Sequence, residues 1–317
     1  MNTKAIALYL AILFGFVLPS IAFSMVERKF PKQTKVTEPT EATVAELDQI
    51  RVKMADGTVV ELEESRYILG VVLQEMPVSF EEEALKAQSV VSRTYARRKK
   101  RISGKHEDAD ICTDPACCQG YCEPEMYEAK GITKEDVRKV ADAVAETENL
   151  VLTYNGDLIE ATYFSCSGGM TEDAAAVWGA DVPYLKATES PGEEQASHFF
   201  DTVQFSVDAF QNALGVKLDG APEEWVNNMQ YTAGGGVASV EIGGHVFSGT
   251  QLRKLLSLRS TAFTMTAVGS TVTITTRGYG HRVGMSQYGA EAMAVGGSNY
   301  KDILAHYYRG TLLEEAG

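Results

Sequence analysis

The chain has 317 residues, ordinary charged and hydrophobic fractions, and a formal net charge of -14. That length supports one large domain or two smaller ones with a sizeable core. The acidic excess excludes non-specific nucleic-acid binding, which needs clustered Lys and Arg, and it excludes bulk attraction to an anionic surface.

In chain order, the first feature is a run from Ala5 to Val26 without a charged residue, preceded by Lys4. Roughly 20 apolar residues are needed to span a bilayer. Residues 1–26 therefore read as a retained transmembrane anchor, with a signal peptide ending near Ser20-Ile21-Ala22 as the alternative. Arg28, Lys29, Lys32 and Lys35 follow the run. The positive-inside rule alone would put that side in the cytoplasm. The lack of a second apolar span and the chemistry downstream point instead to a domain outside it. Residues 27–48 are polar, include Pro31 and Pro39, and read as a linker. The remaining stretch, 49–317, is expected to be one folded unit.

Ile50–Met54, Asp56-Gly57 and Thr58–Leu62 predict a hairpin. The apolar run Tyr67–Met76 carries one carboxylate, Glu75, near its end, and Pro77 closes it. Ser79 and Glu82 form a capping-box pattern for a long helix with Ala84, Ala87, Val91 and Tyr95 on one face. That helix ends in Arg97, Arg98, Lys99, Lys100 and Arg101, the most basic patch of the chain. Four of the five cysteines then fall between Cys112 and Cys122. Thr133 and Asp136 predict another helix start, and Asn155-Gly156 a tight hairpin between Leu150–Tyr154 and Leu158–Phe164. Further on, Val237–Val246 reads as a strand, Thr250–Leu256 as a helix, and Phe263–Thr276 as a hairpin about Gly269. Helices follow near Ala290 and over Tyr300–Tyr308. Hairpins mixed with helices, without regular βαβ alternation, predict an α+β fold.

Three places carry chemistry. Glu75 sits among apolar residues, where burial disfavours the charged carboxylate and suits a group that gives up a proton and takes it back. An ion pair with Arg93 or Arg97 is the structural alternative. His106, Cys112 and Cys118 are spaced His-x5-Cys-x5-Cys, with Cys117 and Cys122 nearby. Imidazole and thiolates are the donors zinc prefers, while disulfides are the alternative in an oxidising compartment. Gly278-Tyr279-Gly280-His281-Arg282-Val283-Gly284-Met285-Ser286-Gln287-Tyr288-Gly289 surrounds one histidine with glycines before a helix. It reads either as a ligand-approach surface or as a strand-to-helix turn.

The stretch ILGVVLQEMPVSFEEEALKAQSVVSRTYARR (Ile68–Arg98) resembles the first signature of the stage II sporulation protein D family. YFSCSGGMTEDAAAVWGADVPYLKATESPGE (Tyr163–Glu193), GGHVFSGTQLRKLLSLRSTAF and GYGHRVGMSQYGAEAMA resemble its later segments. The resemblance runs from about Ile50 to the C-terminus. It implies a lytic transglycosylase of peptidoglycan glycan strands stripped of stem peptides, active in the engulfment stage of sporulation. It implies Glu75 as the catalytic acid, and zinc on His106, Cys112 and Cys118, with Cys117 and Cys122 as extra thiols. It further implies a single-pass anchor with the catalytic domain in the septal space. A sporulation amidase (stage II sporulation protein P) and a membrane scaffold (stage II sporulation protein M) are the implied partners.

Ser165, Ser167, Gly168, Gly169, His281, Ser286, Gln287 and Tyr288 are the expected substrate-binding residues, as donors to a sugar and to the developing charges. Arg93, Arg97 and Arg98 are expected to meet the lactyl carboxylates of the glycan. Two rivals share the domain: a non-catalytic enhancer of an amidase, and a glycan-binding module with a purely structural metal.

Overall fold

The computed structural model describes residues 49–102 and 105–316. The expected anchor and linker lie outside the described residues. Among the described residues no helix is long and apolar enough to cross a membrane. The architecture of the described residues is mixed α+β, with small sheets and eight α-helices around two apolar clusters.

The described residues open with hairpin strands β1 (Gln49–Lys53) and β2 (Val59–Glu63), in which Ile50 and Val52 point inward. Asp56 Oδ1 accepts from the amide and hydroxyl of Thr58 and fixes the turn, where Gly57 is left-handed. Helix α1 (Glu64–Glu75) follows and buries Tyr67, Ile68, Val71, Val72 and Leu73. It stops where Met76 turns extended before Pro77, which disfavours helix at the residue ahead of it. Gly70 is needed inside α1 because the Tyr121 ring lies against it; an added Cβ would stand 2.2 Å from that ring.

Helix α2 (Glu82–Ile102) is the axis of the larger cluster. It starts later than the Ser79–Glu82 pattern predicts. Ser79 lies in a turn, the Glu81 carbonyl accepts the first helical bonds, and Glu291 accepts from the Glu81 amide. Ala84 to Arg97 are all buried, so α2 is surrounded on every side rather than resting on one apolar face.

This surrounding corrects the expectation for the basic patch. Arg93 is buried and donates to the carbonyls of Thr147 (2.6 Å) and Val144, the C-terminal end of α3 (Lys134–Glu146), and it pairs with Glu64. Arg97 makes a two-pronged bond to Glu64 at 2.6 and 2.8 Å, and Arg98 pairs with Glu160. Arg93 and Arg97 thus cross-link the core from within, while Arg98 is only partly exposed and is already paired. The short strand β3 (Ile111–Cys112) pairs parallel with β1, and α3 begins with the expected Thr133–Asp136 capping box.

Strand β4 (Leu150–Tyr154) turns through left-handed Asn155 and Gly156 into β5 (Asp157–Leu158), as the Asn-Gly pair predicts. The returning arm then leaves the hairpin. Tyr163–Phe164 forms a separate strand, β6, that pairs in parallel with β13 (Met285–Ser286). Helix α4 (Ala174–Trp178) ends at left-handed Gly179.

The smaller cluster belongs to residues 200–277. Strand β7 (Phe200–Ser206), helix α5 (Val207–Leu214), strands β8 (Val226–Tyr231), β9 (Val237–Ile242) and β10 (His245–Ser248), helix α6 (Gly249–Leu255), and strands β11 (Phe263–Val268) and β12 (Thr271–Arg277) build it. They form two three-stranded antiparallel sheets around Phe210, Val240, Ile242, Leu252, Val272 and Ile274. The single strand expected over Val237–Val246 is two strands, because Gly243 and Gly244 both adopt positive φ and reverse the chain. Helices α7 (Gln287–Val295) and α8 (Tyr300–Tyr307) and strand β14 (Leu312–Glu315) return to the larger cluster.

Arg282 joins the two regions. It is fully buried, pairs with Glu172 at 3.2 Å, and donates to the carbonyls of Ser167, Met170 and Gly234. Glu172 in turn accepts from the Gly236 amide and the Thr232 hydroxyl.

A cleft with one carboxylate and a His/Cys cluster

A cleft of about 700 Å³ runs between the end of α1, the loop before Tyr121, strand β6 and the glycine-rich segment ahead of β13. Glu75, Lys105, Tyr163, Trp178, His281 and Gln287 are among its lining residues, and among the described residues Glu75 is the only carboxylate there. α1 delivers Glu75 at its last residue, half-buried at the cleft wall.

The Gly120 amide donates to Glu75 Oε1 at 2.7 Å. Position 120 has to be glycine for this contact: a Cβ there would stand 2.8 Å from the same oxygen. Burial raises the Glu75 carboxyl above its ordinary range, opposed in part by the Gly120 bond and by the nearby Gln287 and Tyr163 side chains. Among the described residues no cation pairs with it: Arg93 and Arg97 pair with Glu64 instead. Tyr163 is held by Gln119 Nε2 at 3.1 Å, and Gln119 Oε1 accepts from Tyr67. Gln287 Nε2 is buried without a hydrogen-bond partner, although the side chain lies close enough to Glu75 to favour its ionised form. An unpaired buried donor beside a cleft is a place where a ligand oxygen is worth binding energy.

His281 lines the same cleft, its ring against Trp178 and Phe164. The Val283 amide donates to its Nδ1 at 3.1 Å, so the other ring nitrogen carries the proton. Burial, with help from the charge of Arg253, pulls its pKa from 6.5 to about 4. The ring is a neutral wall element at ordinary pH.

The glycines around it answer a different need from ligand approach. A Cβ at Gly284 would stand 2.0 Å from the Thr162 carbonyl, and one at Gly278 would stand 2.7 Å from the carbonyls of Cys166 and Ser167. The segment must lie backbone-to-backbone on Thr162–Ser167, and that contact brings His281 and Gln287 to Glu75.

The other expected binding residues divide. Ser165 lines the cleft. Ser167 and Gly168 do not: their donors are taken up by the buried carboxylate of Glu193, at 2.8 to 2.9 Å, which also accepts from Cys166 and Ser190. The Gly169 amide donates to Ser167 Oγ. Ser286 caps α7 by accepting from the Gly289 amide, and Tyr288 packs edge-on against Phe80 at 5.1 Å. Tyr163, Gln119, Gly120, Trp178 and Tyr279 are the site residues that sequence reasoning missed.

At the cleft edge, His106, Cys112, Cys117 and Cys118 gather their donor atoms within 4.8 Å of one another. His106 Nε2 is 3.4 Å from Cys118 Sγ, and Cys117 Sγ is 3.8 Å from each of them. Cys117, counted as an extra thiol from its spacing, therefore belongs to the group, whereas Cys122 lies apart in the apolar cluster. All five cysteines are free thiols. Burial pushes Cys112 up to about 12, so this thiol keeps its proton among crowded sulfurs. A thiophilic dication would relieve that crowding, and one imidazole with three thiols matches a four-coordinate set in donor type.

These features define a class: an α+β protein whose cleft offers one buried acid and a neighbouring His/Cys donor cluster. A family model described as Stage II sporulation protein matches residues 53–154. The chain is similar to Stage II sporulation protein D of Bacillus subtilis (strain 168), 39% identical over 269 residues, covering 83% of this chain and 78% of that protein. It is 38% identical over 297 residues to Stage II sporulation protein D of Bacillus amyloliquefaciens, covering 90% of this chain and 83% of the relative. It is also 31% identical over 298 residues to an Amidase enhancer of Bacillus subtilis (strain 168), covering 77% of this chain and 40% of that protein. The chain belongs to the stage II sporulation protein D family.

Proposed function

We propose that this chain is a lytic transglycosylase that cleaves peptide-free glycan strands during sporulation. The observation that carries the reading is a cleft with one carboxylate, raised by burial and held by a backbone amide without a cation. Hydrolytic glycosidases ordinarily need two carboxylates, one of them to activate water or attack the sugar. A lytic cleavage needs one acid, because the substrate supplies its own nucleophile.

Glu75, protonated, gives its proton to the glycosidic oxygen as the bond from that oxygen to the anomeric carbon breaks. The resulting carboxylate then takes the proton of the C6 hydroxyl, and the C6 oxygen bonds to the anomeric carbon. No water is consumed, and the product carries a 1,6-anhydro ring. The carboxyl ends as it began, so a group whose neutral form is favoured by burial, yet which can still ionise, suits both halves. The Gly120 amide fixes one oxygen throughout. Gln287 Nε2 offers its unused donor to the sugar or to the carboxylate that forms.

Trp178 and Tyr279 present exposed rings at the cleft, suited to the apolar faces of sugars. His106, Cys112, Cys117 and Cys118 would hold zinc, which would cross-link the loop leading to Gly120. The domain would work outside the cytoplasm, tethered by residues 1–26, with the amidase and scaffold expected from the resemblance as partners.

Mass spectrometry of products from denuded glycan tests the reading. Wild type should release anhydro-muramic ends, with a rate that falls as pH rises through the raised pKa of Glu75, and Glu75→Gln should release none. Hydrolytic ends, or undiminished product from Glu75→Gln, would overturn it. The kinship with an Amidase enhancer favours a second reading, in which the domain stimulates an amidase. That reading gains if wild type yields no product but accelerates an added amidase.

A further inference from the structure

The sheet of β11, β12 and β7 rests one face on the smaller apolar cluster and leaves the other open. Its register aligns the outward residues in rows. Thr264, Thr275 and Thr202 form one row, and Thr266, Thr273 and Gln204 form the next. Thr202 and Thr275 lie hydroxyl to hydroxyl at 3.0 Å. On the cleft side of these rows Arg277 stands beside Phe200, which is 64% exposed. The pairing continues past the end of β12. The Gly278 amide donates to the Phe199 carbonyl, and the Tyr279 ring packs edge-on against His198 at 5.3 Å. Tyr279 lines the cleft, so paired backbone leads from the open face to the cleft without a break.

Outward threonine is ordinary in a strand, and by itself it assigns nothing. The charge pattern is what sets this face apart. The chain has 43 acidic residues, and its other exposed strands carry them: Glu61 and Glu63 on β2, Glu314 and Glu315 on β14. The outward positions of β11, β12 and β7 include no carboxylate among the described residues, and their one charge is Arg277 at the cleft end. Glycan stripped of peptides carries a carboxylate on alternate sugars, which an acidic surface would repel. Threonine hydroxyls and the Gln204 amide both donate and accept, as sugar hydroxyls and acetamides do. Phe200 adds a ring for an apolar sugar face. A protein partner would need aromatic or aliphatic anchors at the centre of the patch, and the two middle rows offer none.

We infer that this open face is a second glycan-binding surface, which holds the strand where it leaves the cleft. The inference rests on the reading of the cleft as a glycan site, and it adds a requirement for length. The seven residues of β12 extend about 23 Å. A strand lying along them continues well beyond the bond being cut. Cleavage on this side therefore falls inside long strands and not at their last sugars.

Binding of labelled peptide-free strands to the full chain in a Glu75→Gln background tests this. One strand is short enough to fill the cleft alone, and the other is longer by at least the length of β12. The long strand should bind about 10–100-fold tighter than the short one. Gln204→Glu keeps the shape of an exposed edge-strand side chain and adds a negative charge. It should remove most of that advantage, leave the short strand's affinity unchanged, and lose its effect in high salt. Thr273→Glu, in the same row, should do the same, whereas Thr273→Ser keeps a hydroxyl and should retain the advantage. A long strand gains statistically from offering the cleft more registers, but neither Glu variant touches that gain. Equal affinity for the two strands, or an advantage unmoved by both Glu variants, would overturn the assignment and leave the glycan cleft standing. So would variants that keep the advantage and instead lose binding of an added amidase, since the face would then belong to a protein partner. Failure of the Glu75→Gln chain to bind either strand would remove the cleft reading itself, and this inference with it.

Discussion

Acidification offers a direct probe of the cleft wall through His281. In the unfolded chain its imidazole titrates at 6.5, and in the folded protein burial and the charge of Arg253 hold it to about 4. The folded state therefore binds fewer protons between those values, and stability must rise with pH across that window. At pH 7 the residue costs nothing by this route. The penalty begins as pH falls through 6.5, reaches about 1.4 kcal/mol near pH 5.5 and about 3 kcal/mol near pH 4, and levels off below that. Urea unfolding of wild type and His281→Asn at pH 7, 5.5 and 4 measures it. Titration elsewhere in the chain is common to both proteins and cancels in the difference. Wild type should lose about 3 kcal/mol more than the variant between pH 7 and pH 4. Equal losses would mean that His281 is solvated and free to protonate, and the account of it as a neutral wall would be wrong.

Two further outcomes follow from the geometry. Gly120→Ala would put a Cβ 2.8 Å from Glu75 Oε1 and 2.7 Å from Gln74 Cγ. Displacing the carboxylate should lower the rate of anhydro-product release about 10–100-fold with the product unchanged, and full activity would show that the amide contact does not position the acid. Cys117→Ser should weaken zinc binding, followed by chelator competition, by more than the about 10–100-fold that loss of an outer hydrogen-bond partner costs a metal site. Cys122→Ser should leave zinc affinity unchanged, and the reverse pattern would restore Cys117 to the status of a spare thiol.

Much of this was legible in the sequence where one residue breaks a local pattern. Glu75 stands out because it is the lone carboxylate of an apolar run ending at proline, and its half-buried place in the cleft follows from that context. The hairpins at Gly57 and Gly156 and the Thr133 cap follow from turn and cap chemistry that acts over a few residues. What failed depended on distant surroundings. Arg93 reads as a cation open to a glycan until α3 and the turn after it wrap the far side of α2. Ser167 and Gly168 look like free donors until Glu193 arrives to accept from them. Cys117 falls outside a regular spacing, because membership of the donor group is set by how the loop folds back on His106. Tyr163 and Gly120 carried no local signal, since only the parallel pairing of β6 with β13 and the close pass of the loop over α1 bring them to the acid.

That parallel pairing has a consequence for the order in which the protein comes to completion. Glu75, Gly120, Tyr163 and Gln287 reach the cleft from four separate regions, and Met285 aligns with Tyr163 only after the intervening chain has crossed over. Contacts of such long sequence separation form late. A chain still emerging, or clipped anywhere ahead of Gln287, carries its acid without the wall opposite. The cleft wall is thus complete only when residues as far along the chain as Gln287 are in place.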